Sequence, residues 1–235
     1  SRPRRFGKSF AAQMLCAYYD KTCDSSELFH HKEISMDKSY RRYLNQYDVI
    51  YVDMTYIKPF TDQYRMLVPY LSSRITEELK AAYPELHVSS ELPASMINAA
   101  ELTGNKFIMI IDEWDAPIRE NPLVQQEYLE FLRTLFKSSG TTAKIFAAAY
   151  MTGILPIKKD GKQSAISDFK EYTMIKPRKF GRYAGFTEGE VAGLCDKNGI
   201  DFQTMKQWYD GYFFNGVGSV YNPNSVMQAI DNRDF

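Results

Sequence analysis

The first nine residues of the chain end in a pattern that can hold a phosphate group. Residues 2–9 (Arg-Pro-Arg-Arg-Phe-Gly-Lys-Ser) match the phosphate-loop pattern G-x-x-x-x-G-K-S/T, except that Arg2 stands where the first glycine belongs. In such a loop Gly7 lets the backbone approach the phosphates closely, and Lys8 reaches the β- and γ-phosphates. The hydroxyl of Ser9 binds Mg²⁺, and the helix that follows directs its positive end at the anion.

Three further residues belong to the predicted loop. The main-chain amides of Arg4, Arg5 and Phe6 curl around the phosphates in such an arrangement. The two arginine side chains either contact phosphate or face solvent, and their amides serve the loop in both cases. The alternative interpretation is a basic turn that precedes an amphipathic helix, and the missing first glycine counts in its favour.

A second candidate group lies at the end of an apolar run. Residues 107–111 (Phe-Ile-Met-Ile-Ile) are typical of a parallel strand covered on both faces, and Asp112 and Glu113 follow directly. At such a strand end Asp112 can hold Mg²⁺ through water, and Glu113 can act as the general base that deprotonates an attacking water. The alternative is a strand-end turn capped by Asp. Asp115 either supports this pair or caps the turn before Pro117.

The hydrophobic pattern predicts an α/β framework for these residues. It predicts helices at 8–20, 64–79 and 123–138, and strands at 48–54, 107–111 and 144–151. Pro69 should either kink the second helix or begin a new one. Alternating strands and helices indicate a parallel sheet, and ligands bind at the carboxyl ends of its strands. The third strand is expected to be buried and ends at Thr152, so Thr152 should share an edge with Asp112.

The pattern changes towards the end of the chain. This predicts a core over residues 1–182 and a small, mainly helical subdomain over residues 183–235. Thr187 and Glu190 have capping-box spacing, which starts a short helix. The aromatic segment 208–212 either stacks on a base or, as buried aromatics near turns usually do, serves packing.

Composition excludes several classes of protein. The chain has 235 residues with 44% hydrophobic and 14% aromatic content, enough for a sizeable core and too much for a disordered linker. Its 29 basic residues balance 29 acidic ones, which argues against a generally basic nucleic-acid binder. Three cysteines without a Cys-x-x-Cys pair predict no disulfide framework or zinc site, and a cytoplasmic location. No apolar run is long enough to span a membrane, and no signal peptide is evident.

The chain resembles the AAA-ATPase-like proteins of bacteria and archaea, which are predicted P-loop ATPases. Separated motifs carry the resemblance, and they extend through nearly the whole chain: Ser1–Ser9, Asp112–Pro117 (Asp-Glu-Trp-Asp-Ala-Pro), Thr152–Ile154, Phe186–Val191, Trp208–Tyr212 and Tyr221–Pro223. In these proteins the first glycine of the loop is commonly absent, so the resemblance makes Arg2 an expected residue.

The resemblance implies a P-loop NTPase core with an additional strand between the Walker A and Walker B strands. Thr152 would be a sensor that contacts the γ-phosphate or the attacking water, or else an ordinary strand-end hydroxyl. The strand that precedes the loop in the family is expected before Ser1, so the chain is expected to be a fragment of a longer protein. Many members continue into a restriction-endonuclease-like domain, and nuclease activity is not assigned to residues 1–235.

The sequence therefore predicts Mg²⁺-dependent ATP hydrolysis, with Lys8, Glu113 and Thr152 as catalytic residues. The alternative is a nucleotide-gated module with little turnover that positions a partner protein or a nuclease domain. ATP rather than GTP follows from the resemblance alone. The basic run 176–182 could bind nucleic acid or supply an arginine finger to a neighbouring copy, although a solvated loop is the more usual role of such a run. The sequence is compatible with an oligomer and does not specify the oligomeric state.

Overall fold

A computed structural model describes residues 1, 3–136, 139–156, 159–160, 163–164 and 169–233. Arg2, at the position of the first loop glycine, and Ser138, at the predicted end of a helix, lie outside the described residues. The chain divides into two compact units. The α/β unit comprises residues 9–153 and 157–170, and the tail unit comprises residues 1–8, 154–156 and 171–235.

A parallel sheet forms the centre of the α/β unit. Its strands are β1 (Asp48–Asp53), β2 (Phe107–Asp112) and β3 (Phe146–Met151), in the order β1-β2-β3. The predicted parallel α/β architecture is confirmed. Because parallel strands end at one edge of the sheet, the residues that end or follow these strands lie at that edge. Asp53 pairs in register with Asp112, and Ile111 pairs with Met151, the residue before Thr152.

Helices cover the sheet and supply most of the apolar core. The helices of this unit are α1 (Lys8–Tyr19), α2 (Ser26–Phe29), α3 (Tyr40–Tyr43), α4 (Met54–Ile57), α5 (Leu67–Ala82), α6 (Leu92–Thr103), α7 (Ala116–Glu120), α8 (Gln125–Phe136) and α9 (Ser139–Ile145). Three 3-10 helices, Glu33–Met36, Lys58–Thr61 and Pro122–Val124, and a two-stranded antiparallel ribbon of β4 (Lys159–Asp160) and β5 (Gln163–Ser164) complete it.

Strand β2 is buried at all six positions because apolar groups cover both faces of the sheet. Successive side chains of a strand point to opposite faces. Phe107, Met109 and Ile111 accordingly join the large cluster that includes helix α5, whereas Ile108 and Ile110 pack in a second cluster with Ala12 of α1. The buried stripe of α5 is Leu67, Leu71, Ile75 and Leu79, as its helical spacing predicts. Pro69 lies in the first turn of α5, so it begins the helix and does not kink it.

The prediction of a buried third strand at 144–151 is wrong in two respects. Strand β3 begins at Phe146, because Lys144 and Ile145 end helix α9. The strand is also largely open, with Ala147, Ala148 and Tyr150 exposed. Among the described residues β3 pairs with β2 alone, so it is an edge strand. An apolar run does not distinguish a covered strand from an edge strand.

The tail unit combines helices with an antiparallel sheet. Its elements are β6 (Phe186–Thr187), α10 (Glu188–Asn198), α11 (Phe202–Tyr209), β7 (Tyr212–Phe214), β8 (Gly218–Tyr221) and α12 (Pro223–Asn232), after a 3-10 helix at Arg178–Tyr183. The strand order is β6-β8-β7. The predicted capping box of Thr187 and Glu190 is present at the start of α10. The sequence did not predict the sheet.

Among the helices of the described ranges, none is both long enough and apolar enough to cross a bilayer.

Candidate functional site

The ends of β2 and β3 are joined by hydrogen bonds around Asp112. Asp112 is 1% exposed, and its Oδ1 accepts a short hydrogen bond from Oγ1 of Thr152. The amide of Glu113 donates to the same Oδ1 over 3.1 Å and to Thr152 Oγ1 over 3.3 Å. Main-chain bonds from Thr152 N to Ile111 O (2.9 Å) and from Trp114 N to Thr152 O (2.8 Å) hold the two segments together. The structure therefore brings three predicted site residues, Asp112, Glu113 and Thr152, into one cluster.

The second carboxylate oxygen of Asp112 is different. Oδ2 is buried and has no hydrogen-bond partner among the described residues. Burial of a carboxylate oxygen without a hydrogen-bond donor costs free energy unless a cation or a water molecule interacts with it. Asp53, the pairing partner of Asp112 in β1, caps α4, since its Oδ1 accepts from the amides of Thr55 and Tyr56. Of these two strand-end aspartates, Asp112 is the one with a buried oxygen that has no hydrogen-bond partner among the described residues.

A hard cation fits this environment. Mg²⁺ prefers carboxylate, hydroxyl and water oxygens and is often bound by one or two protein groups together with phosphates. Within the described ranges, no group of three or more His, Cys, Asp or Glu side chains could hold a metal ion by itself. Asp112 Oδ2 thus suits a cation that brings most of its own ligands.

Glu113 is held in an unusual position. Its φ of 52° lies in the left-handed region, which costs a non-glycine residue roughly 1–3 kcal/mol. Its Oε2 accepts a hydrogen bond of 3.1 Å from the guanidinium of Arg119. Arg119 also donates from Nε to Asp115 Oδ2 over 2.8 Å. Asp115 makes no side-chain cap to α7, so of its two predicted roles the structure shows the supporting one.

Gly153 packs directly against this group. A Cβ at position 153 would lie 2.6 Å from Cδ1 of Trp114 and nearer still to Oδ1 of Asp115. Such distances are shorter than real contacts, so only glycine fits without movement of its neighbours. This explains why the Thr152-Gly153 pair faces the acidic segment 112–115.

A tyrosine of β1 adds to the electrostatics of this edge. Burial, together with the negative charges of Asp112 and Asp53, raises the pKa of Tyr51 to about 12. Tyr51 therefore keeps its proton near neutral pH. Its hydroxyl is a neutral group beside the carboxylates and adds no negative charge to them.

The predicted loop has the backbone that its sequence requires. Gly7 has a φ of 76°, and a Cβ there would meet nothing within 4 Å, so glycine is needed for conformation and not for space inside the protein. Arg5 also has a positive φ of 67°. Lys8 Nζ donates to the carbonyl of Pro3 over 3.2 Å, which folds the ammonium back over the loop. The side chains of Arg4 and Arg5 are exposed.

Phe6 anchors the loop within the tail unit. Its ring is buried in a cluster with Phe214 and Val220, and it meets the ring of Tyr212 edge-on at 5.2 Å. Asn222 Nδ2 donates to Arg4 O over 3.4 Å. Phe6 thus offers a ligand its main chain and not its side chain. Of the aromatic segment, Tyr212 contacts Phe6 although it is 36% exposed, and Trp208 is 62% exposed.

The predicted site residues are distributed over both units. Residues 4–8 belong to the tail unit, whereas Ser9, Asp112, Glu113 and Thr152 belong to the α/β unit. Ser9 is exposed in the first turn of α1. The assembly of the loop and the acidic cluster into one site remains a prediction.

The basic run 176–182 is exposed at its four cationic side chains. Lys179 Nζ lies 5.2 Å from the ring centre of Phe180, and the guanidinium carbon of Arg182 lies 4.8 Å from that of Tyr183. Its roles in nucleic-acid binding or as an arginine finger remain predictions.

Comparison with known proteins assigns the family. The model of the predicted AAA-ATPases matches residues 1–162 and thus more than half of the chain. The chain belongs to the AAA-ATPase-like family. One relative of this AAA-ATPase-like chain is an uncharacterized protein in the vnfD 5′ region of Azotobacter chroococcum mcd 1, 24% identical over 137 residues. The match covers 56% of the chain and 26% of the relative, so the chain spans about a quarter of that protein. No solved structure gives a significant match.

Sequence reasoning missed some residues that contact the predicted site residues. Arg119 carries a local signal, since its spacing of four from Asp115 places the two on one helical face. Tyr212 and Asn222 lie in motifs that carry the family resemblance, but nothing in their sequence context links them to the loop. Their contacts with Phe6 and Arg4 exist only in the tertiary structure.

Proposed function

We propose that this domain binds Mg-ATP and hydrolyses it, in a P-loop NTPase fold. The observation that supports it most directly is the buried Asp112 Oδ2 without a partner among the described residues, at the carboxyl end of a fully buried parallel strand. Membership of a family of predicted AAA-ATPases supports the nucleotide. The Gly-Lys-Ser sequence at the start of α1 supports phosphate as the group that is bound.

The loop would bind the phosphates. The amides of Arg4, Arg5, Phe6 and Gly7 would donate to phosphate oxygens, and Lys8 would exchange its bond to the Pro3 carbonyl for a phosphate oxygen. A charged acceptor is the stronger partner for an ammonium group than a neutral carbonyl.

The hydroxyl of Ser9 and, through water, Asp112 Oδ2 would hold the magnesium ion. Bound there, Mg²⁺ would neutralise the negative charge of the β- and γ-phosphates. Thr152 leaves Oδ2 available, because it satisfies only the other oxygen of Asp112. The carboxylate is thus oriented before any ligand arrives, which lowers the cost of binding.

Glu113 would take the proton of the attacking water. Its side chain is 17% exposed, so the carboxylate is accessible although held. Thr152 has a single hydroxyl proton, which it donates to Asp112. We therefore infer that the Thr152 hydroxyl could accept a hydrogen bond from the water. To donate one to the γ-phosphate, it would first have to break its bond to Asp112. Water is a donor and suits this arrangement better than a phosphate oxygen.

Calorimetric titration of Mg-ATP tests the proposal. We expect binding by the protein, its loss in Lys8→Ala, and no change in Lys38→Ala, a control that removes an exposed lysine of the α/β unit. We expect Glu113→Gln to bind ATP and to lose turnover. Absence of binding by the parent protein would refute the proposal. Binding with turnover that is equal in the parent and Glu113→Gln would refute the assigned base. Binding with little turnover in the parent itself would favour the nucleotide-gated module.

A further inference from the structure

Arg119 makes a bridge between two carboxylates at the acidic strand end. Its NH2 group lies 3.1 Å from Glu113 Oε2, and its Nε lies 2.8 Å from Asp115 Oδ2. The side chains of Glu113 and Arg119 are 17% and 19% exposed, whereas that of Asp115 is completely buried. A planar guanidinium can bind two acceptors at once with fixed geometry, which a lysine ammonium cannot reproduce.

Asp115 fixes Arg119 in place. A fully buried carboxylate that loses its cationic partner leaves an uncompensated charge, which is strongly destabilising. Movement of Arg119 away from Asp115 is therefore unfavourable. Asp115 also packs closely against Gly153, where a Cβ would overlap its Oδ1. Pro117 sets the first turn of α7 and so fixes the path from Asp115 to Arg119.

The fixed guanidinium in turn restrains Glu113. The backbone of Glu113 is held in the left-handed region by the hydrogen bonds that its amide donates to Asp112 and Thr152. Arg119 holds the other end of the residue, at the carboxylate. A side chain that is held at both ends keeps one position, and pre-positioned groups are what a proton transfer requires.

We propose that Arg119 is a positioning residue, which holds the carboxylate of Glu113 for proton abstraction from the attacking water. This proposal rests on the proposed function, since it needs Glu113 to act as the base. In this proposal Arg119 acts through Glu113 and is assigned no role of its own on the water or the nucleotide. Arg119 is anchored by its ion pair with the buried Asp115, so it supports Glu113 in one position.

The test compares steady-state ATP hydrolysis of the parent protein with that of Arg119→Gln and Arg119→Lys. We expect kcat to fall roughly 10- to 100-fold in Arg119→Gln, with KM for ATP within about twofold, because a displacement of about 1 Å can cost this much. Arg119→Lys should lie between the two, since it keeps a charge but cannot bridge both acceptors. Arg74→Gln is the matched control: Arg74 also contacts two carboxylates, Glu77 and Glu78, but on the exposed face of α5.

Two further variants separate positioning from folding. Arg119→Gln combined with Asp115→Asn removes the buried charge together with its partner, so it should fold while Glu113 still loses its support. Its kcat should match that of Arg119→Gln. In a Glu113→Gln background, Arg119→Gln should lower the residual turnover by less than twofold, because a residue that acts through Glu113 has nothing left to position. A purely structural residue would cost the same in both backgrounds.

The outcomes distinguish this proposal from the proposed function. Turnover that is lost in Glu113→Gln but unchanged in Arg119→Gln overturns the positioning role alone. An increase of kcat in Arg119→Gln shows that the ion pair holds Glu113 away from its working position, and also overturns the positioning role. A parent protein that does not bind or hydrolyse Mg-ATP overturns the proposed function, and the positioning role with it.

Discussion

Replacement of Thr152 by valine tests the hydrogen bonds that organise the acidic strand end. Valine has nearly the shape of threonine but lacks its hydroxyl group. The change removes the bond that Thr152 donates to Asp112 Oδ1 and the one that it accepts from the amide of Glu113. Thr152 is 3% exposed, so water does not readily replace the lost hydroxyl.

The expected loss of stability follows from these contacts. A hydrogen bond to a charged group contributes about 1.5–3 kcal/mol, and without the hydroxyl of Thr152 the carboxylate of Asp112 keeps the amide of Glu113 as its donor while Oδ2 still lacks a partner among the described residues. The amide of Glu113 adds little, since it still donates to Asp112 Oδ1 over 3.1 Å. We therefore expect Thr152→Val to lower the free energy of unfolding by about 2–3 kcal/mol. Thr152→Ser keeps the hydroxyl and loses one methyl group, which should cost about 1 kcal/mol.

Urea unfolding followed by tryptophan fluorescence measures this difference. Trp114 is 6% exposed and its amide donates to Thr152 O, whereas Trp208 is 62% exposed. In a Trp208→Phe background the signal therefore arises beside the site. If Thr152→Val lies within about 0.5 kcal/mol of the parent, the hydroxyl does not support Asp112. If serine is more destabilising than valine, the methyl group contributes more to stability than the hydrogen bonds do.

Three other predictions follow from burial and packing. Gly153→Ala should lower the free energy of unfolding by about 1–3 kcal/mol in the same urea assay, because its Cβ would overlap the neighbouring indole and carboxylate; an unchanged value would contradict the packing. Phe6→Ala should destabilise the tail unit by about 3–5 kcal/mol, measured by urea unfolding with circular dichroism, since its ring is 2% exposed; a loss below about 1 kcal/mol would show that the loop is not anchored there. Iodoacetamide at pH 8 should alkylate exposed Cys23 before the other thiols, because burial raises the pKa of Cys16 and Cys195; peptide mass spectrometry that finds either of these labelled first would contradict this.

Periodicity predicted the elements whose burial follows a regular pattern. The spacing of Leu67, Leu71, Ile75 and Leu79 is that of one helical face, and these four residues form the buried stripe of α5. The all-apolar run of β2 likewise identifies a strand that is covered on both faces. In both cases the local pattern of apolar residues is typical of a single kind of secondary structure.

Short or uncovered elements left no such pattern. Strands β6, β7 and β8 have two, three and four residues, too few for an alternation to stand out. The alanines of β3 predicted burial, yet neighbours decide burial and β3 lies at the edge of the sheet in the described residues. These elements depend on contacts between residues that are distant in the sequence.

The sequence by itself determined the parallel α/β architecture and which residues meet at its edge. Asp112 and Thr152 follow neighbouring parallel strands, whose carboxyl ends must lie together. Only the tertiary structure decided how these residues are held. The left-handed backbone of Glu113 turns the chain so that Arg119 reaches both Glu113 and Asp115, and Phe6 is buried by residues more than two hundred positions away. Hydrogen bonds and packing act over a few ångströms in space, and spacing along the chain does not report such distances once the chain folds back on itself.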